Sequence, residues 1–114
     1  MRCHIKPVLL HFGHMAQYNK LVRDGIPEML DQKGISYEKR ILDDEEYREQ
    51  LIKKLDEEVH EFLAEPSTEE LADVMEVVRA LRRLPEFENA KLVQRAKRDE
   101  RGGFDERIML KGEK

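Results

Sequence analysis

A predominantly helical fold is predicted by three features of the chain. Leu51, Ile52, Leu55, Val59, Phe62 and Leu63 fall within about 120° of arc when wound at 100° per residue. Leu71, Val74, Met75, Val77, Val78, Leu81 and Leu84 likewise share one broad face. Start and stop residues bracket both stripes. Asp43 followed by Glu46 resembles a capping box, Ser67 caps the second stripe, and Pro85 ends it.

The elements follow in order. Residues 1–16 read as a poorly ordered leader, with Met15 as a natural start, and residues 17–114 as one helical domain. Residues 17–25 form a compact loop that ends in a turn. A short helix then runs from about Pro27 to Lys33, with Pro at a first-turn position and Gly34 as its breaker. Ile35 to Leu42 alternates loosely, with Ile35, Tyr37 and Ile41 on one side, and predicts a short strand. A long helix follows from Asp43 to about Ala64, then one from Ser67 to about Leu84. A third, about Glu86 to Glu100, is weakly amphipathic through Phe87, Ala90 and Val93. Phe104 is expected in the core, and Ile108-Met109-Leu110 ends the ordered chain.

Composition narrows the function classes. At 114 residues the chain is at most one domain, and with 40% charged residues and no Trp its own core is small. Helices with one apolar stripe finish their burial against other helices, so a homodimer or homotetramer is expected. The net charge of -4 argues against a nucleic-acid polymer as partner. No run approaches the ~18 apolar residues of a membrane span. Cys3 is the single cysteine, which suits a reducing cytoplasm. Cys3, His4, His11 and His14 match no standard zinc spacing.

Two acidic pairs at i, i+3 carry the chemistry: Glu58 with Glu61, and Glu70 with Asp73. With 25 acids in 114 residues, chance supplies roughly five such pairs, most of them solvated. Glu70 also suits the third position of a capping box headed by Ser67. Angular position separates these acids from the background. With Leu51 as zero, Glu58 lies at about 340° and Glu61 at about 280°. With Leu71 as zero, Glu70 lies at about 260°, inside the apolar face, and Asp73 at about 200°, on its edge. Glu69 and Glu76 point about 140 to 160° away from Leu71, toward water. A carboxylate within a core face must be paired, protonated or bound to metal. Few lysines or arginines stand at helical spacing to neutralise all four. The short turn Ala64-Glu65-Pro66-Ser67-Thr68 lets the two pairs face one another.

Glu57-Glu58-x-x-Glu61 followed by Glu70-x-x-Asp73 resembles the E-E-x-x-E…E-x-x-D signature of the MazG-like nucleotide pyrophosphohydrolases. Residues 18–27, from Tyr18 through Lys20-Leu21-Val22-Arg23-Asp24 to Pro27, resemble the opening of the phosphoribosyl-ATP pyrophosphohydrolase-like subgroup. Glu100-Arg101-Gly102-Gly103-Phe104, then Arg107-Ile108, resembles that subgroup's end. The subgroup usually carries a basic residue where Gly25 stands here.

The resemblance implies an all-α fold, an antiparallel helical bundle of the all-α NTP pyrophosphatase type completed by oligomerisation. It implies hydrolysis of a nucleoside triphosphate to monophosphate and pyrophosphate, dependent on Mg²⁺ with Mn²⁺ as an alternative. Glu58, Glu61, Glu70 and Asp73 take the metal-binding positions. The metal would polarise the α-phosphate and help generate the nucleophile. Glu57 is a candidate for orienting the attacking water. Lys20, Arg23, Lys97 and Arg101 match basic positions suited to polyphosphate. Gly102-Gly103 offers backbone amides to phosphate or a plain helix cap. Two alternatives stand beside this reading: phosphoribosyl-ATP as the substrate, and a non-catalytic helical oligomerisation module with solvated acids.

Overall fold

The computed structural model of the chain describes residues 19–113, and all of its regular structure there is helical. The expected leader and its His and Cys residues lie outside the described residues, as do Gln17 and Tyr18. The chain divides into two compact units, Met1–Leu81 and Arg82–Lys114. No helix among the described residues is long and apolar enough to cross a membrane.

The first unit contains α1 (Ile26–Gln32), α2 (Asp44–Ala64) and most of α3 (Thr68–Arg82). Gly34, at φ 70°, ends α1 in a left-handed turn. The amide of Ile35 donates to the Leu30 carbonyl (3.0 Å), and that of Gly34 to the Asp31 carbonyl (3.1 Å). These two bonds make a Schellman motif. Its accompanying apolar contact is present too. Ile26 and Leu30 form a small core against which Val22, Ile35 and Tyr37 pack.

The strand expected over residues 35–42 is not formed; that segment is neither helix nor strand. A strand needs a ladder partner, and none exists among the described residues. Ile35 and Tyr37 instead close over α1, while Ile41 is exposed. The Tyr37 hydroxyl donates to Asp31 (2.8 Å), which raises the phenol above its ordinary pKa.

Asp43 caps α2 as expected, its side chain accepting from the Glu46 amide at 2.8 Å. The Glu46 carboxylate is held by both Arg40 guanidinium nitrogens (2.8 and 2.6 Å). That grip holds the carboxyl below its ordinary pKa and the guanidinium above its own. Ser67 caps α3 through its Oγ, which accepts from the Glu70 amide at 3.1 Å. The connection between the helices is Glu65-Pro66-Ser67. It turns the chain back on itself, because Glu58 and Asp73 offer oxygens within 4.8 Å of each other. Fifteen residues of unbroken helix would hold them about 22 Å apart.

Each of these helices leaves part of its apolar stripe uncovered. On α2 Leu51 is buried while Ile52 and Leu63 are exposed. On α3 Val77 is buried while Leu71, Met75 and Val78 are exposed.

The second unit begins two residues short of the expected helix end. Leu84 is extended (ψ 139°), as a residue before proline prefers. Pro85–Phe87 then forms a single 3₁₀ turn. The helix expected from Glu86 starts only at Ala90, giving α4 (Ala90–Arg101), all of whose residues are exposed. Gly102 caps it at φ 82°, its amide donating to the Arg98 carbonyl at 2.7 Å. Phe104, expected in the core, is 97% exposed. Ile108, Met109 and Leu110 are exposed as well.

Leu30→Ala is expected to cost about 2–5 kcal/mol of unfolding free energy, because it empties the centre of the small core. Ile41→Ala should cost no more than about 0.5 kcal/mol. Urea denaturation of both variants checks the contrast.

Candidate metal centre

Three acids from the two helices of the hairpin converge. Glu58 on α2 and Glu70 and Asp73 on α3 offer carboxylate oxygens that all lie within 4.8 Å of one another. Glu58 is 1% exposed and Glu70 3%; the Asp73 side chain is 14% exposed. Their burial follows the angular frame. Glu58 lies beside Leu51 and Glu70 beside Val77, and those two apolar residues are buried on their helices.

Glu61, the fourth acid expected in the set, is half-buried but outside this group. Its distance from the turn is within one residue of that of Glu70, so height along the helix does not exclude it. Around α2 it is rotated about 60° from Glu58. Glu69 and Glu76, expected in water, are partly covered; neither belongs to the group. Glu76 lies 3.5 Å from Arg79.

Cations surround the acids. In the loop before α1, Arg23 Nη2 donates to Asp73 Oδ1 at 2.7 Å. Lys20 Nζ lies 3.8 Å from Glu57 Oε2, and Lys54 Nζ lies 3.6 Å from the same oxygen. The two loop cations expected to meet phosphate thus sit on two acids of the signature. Lys54 is one of the few cations that stand at helical spacing to these acids. It precedes Glu57 by three residues and Glu58 by four, and falls at about 300° in the Leu51 frame, between Glu58 and Glu61. That angle was the available signal. Its side chain is 13% exposed, so its charge acts close to the buried acids.

Lys97 and Arg101 are exposed on α4 of the second unit. The Gly102 amide is used by the Arg98 carbonyl, which makes this glycine a helix cap and not a phosphate donor. At Gly25 nothing lies within 4 Å of where a Cβ would stand and φ is -83°, so the backbone would accept a side chain there.

Three hard anionic oxygens, with no thiolate or imidazole in the group, suit Mg²⁺ or Mn²⁺. Octahedral coordination leaves the remaining positions to water or phosphate. Carboxylates this close and this buried repel one another and gain by binding a cation.

Mn²⁺ or Mg²⁺ is therefore expected to raise the thermal midpoint of the protein. The gain is about 2.7 kcal/mol at a hundredfold excess over Kd. Glu70→Gln should lose most of that response in a thermal melt followed by circular dichroism. In the comparisons made with protein-family models, with curated proteins and with solved structures, the chain matches none.

Proposed function

We propose that the protein is a metal-dependent nucleoside triphosphate pyrophosphohydrolase, converting an NTP or dNTP and water to the monophosphate and pyrophosphate. The observation that carries the reading is the meeting of Glu58, Glu70 and Asp73 across the hairpin, with Arg23 on Asp73. Solvated acids on an interaction module would not need burial to 1% and 3%. The resemblance of residues 18–27, 57–73 and 100–108 to the MazG-like enzymes supplies the substrate class.

Mg²⁺, when bound, would supply charge neutralisation for the phosphates and the departing pyrophosphate. Glu58, Glu70 and Asp73 would hold it, and Glu61 joins them on the resemblance. The chain's own residues do the rest. Lys20 and Lys54 flank Glu57 and fix it, so its carboxylate can accept a hydrogen bond from water and aim it. Arg23 and Lys20 bring donors to the polyphosphate from the N-terminal loop. Lys97 and Arg101 enter as phosphate contacts on the resemblance alone. The preference for NTP or dNTP over phosphoribosyl-ATP rests on the Lys20-Leu21-Val22-Arg23-Asp24 segment.

The same proposal includes an antiparallel bundle completed by a second copy of the chain. The uncovered part of each stripe lies about 110° from the buried edge, in the direction of increasing helical angle on both helices. Because α3 returns along α2, these opposite senses bring both uncovered parts to one side of the hairpin. Ile52, Leu63, Leu71 and Met75 would then form one apolar surface, with Met75 63% exposed.

Pyrophosphate release is to be measured over a panel of NTPs, dNTPs and phosphoribosyl-ATP, with and without Mg²⁺. Release dependent on Mg²⁺ is expected, and Glu58→Gln and Asp73→Asn should each lower it about 10²-fold or more with helix content unchanged. Folded protein that releases pyrophosphate from none of them would favour the interaction module. Light scattering should find a dimer or tetramer, and Met75→Glu should shift it toward the monomer. A wild-type monomer at all concentrations would rule out the assembly.

A further inference from the structure

Arg23 spans 50 positions of sequence to reach Asp73. Its partner is the least buried acid of the group at 14%, while the Arg23 side chain is itself 51% exposed. A pair with one wet member is exchangeable, because the guanidinium regains its hydration on leaving. The other loop cation is anchored differently. Lys20 lies on Glu57, which is outside the group and also neighbours Lys54 of α2. Arg23 thus meets the carboxylate group itself, and Lys20 meets an acid beside it.

A divalent cation held by Glu58, Glu70 and Asp73 would share Asp73 with the guanidinium, and like charges at that range repel. Resting on the metal reading above, we propose that Arg23 is the displaceable counterion of the carboxylate group. Metal entry releases it from Asp73, and the freed guanidinium turns to a phosphate ligand of the metal. Lys20 keeps the loop tethered to α2 through Glu57 during the exchange. Metal and phosphate are thereby coupled through one side chain, and by linkage each raises the affinity for the other.

The test is calorimetric titration of the full chain with Mn²⁺ alone, then of pyrophosphate into the Mn²⁺-loaded protein. Wild type, Arg23→Gln and Arg23→Lys are compared. Arg23→Gln should bind Mn²⁺ about fivefold tighter, since the competing charge is gone. The same variant should bind pyrophosphate about tenfold more weakly. Arg23→Lys, which keeps the charge, should stay near wild type in the first titration. The opposite signs are diagnostic. An unchanged Mn²⁺ affinity in Arg23→Gln would reduce Arg23 to a phosphate contact and overturn the exchange. A weaker one would make it a brace for Asp73 and overturn it too, as would loss of the fold. No Mn²⁺ binding by wild type, read in the first titration, would instead remove the metal reading itself.

Discussion

Two carboxyl groups, those of Glu58 and Glu70, are taken almost wholly out of water within the reach of a third, that of Asp73. An ionised acid in such surroundings is tolerable only with positive charge close by. Much of the first unit is organised around that demand. Lys54 of α2 lies beside Glu57 with its side chain largely covered, and the loop before α1 is drawn onto the hairpin by Arg23 and Lys20. The loop continues directly into α1 and the small Ile26–Leu30 core. Electrostatic compensation and apolar packing thus hold the same stretch of chain in place.

The register of the hairpin decides which acids meet. A connection of three residues lets positions at similar distances from the turn face one another, and Glu58 and Asp73 differ by only one residue in that distance. Angle around each helix then governs how deeply each acid is buried. Glu58 and Glu70 fall on the buried edges, and Glu61, rotated about 60° from Glu58, is half-buried. A shift of one residue in the connection would rotate this pattern by about 100° and scatter the group. The site is a property of turn length as much as of residue identity.

What was legible in the sequence was local. The caps at Asp43 and Ser67, the glycine stop at Gly34 and the helical periods depend on neighbours within a turn or two, and the structure contains each of them. The burial of Glu58 and Glu70 was readable from angle alone. What was not legible depended on distant partners. Alternation over residues 35–42 looks like a strand, yet a strand exists only with a ladder beside it. Phe104 is aromatic enough for a core, but hydrophobicity says nothing about whether anything covers it. Arg23 on Asp73 joins residues whose separation no periodicity encodes. Lys54 was readable by the same angular rule as the acids, once that rule is applied to cations.

The reach of Arg23 also bears on the order in which the molecule assembles and loosens. Capping of α1 and α2 involves partners at most five residues apart, and such short loops close quickly and at small entropic cost. The Arg23–Asp73 contact closes a loop of 50 residues, so it forms only after the hairpin has brought Asp73 into position. Its exposed guanidinium contributes little to global stability, so it is also among the first contacts to break. In hydrogen-exchange terms, the Arg23–Asp73 contact belongs to the fast-opening end of the stability range. Exchange of the guanidinium off Asp73 then needs only local motion, on a timescale separate from unfolding.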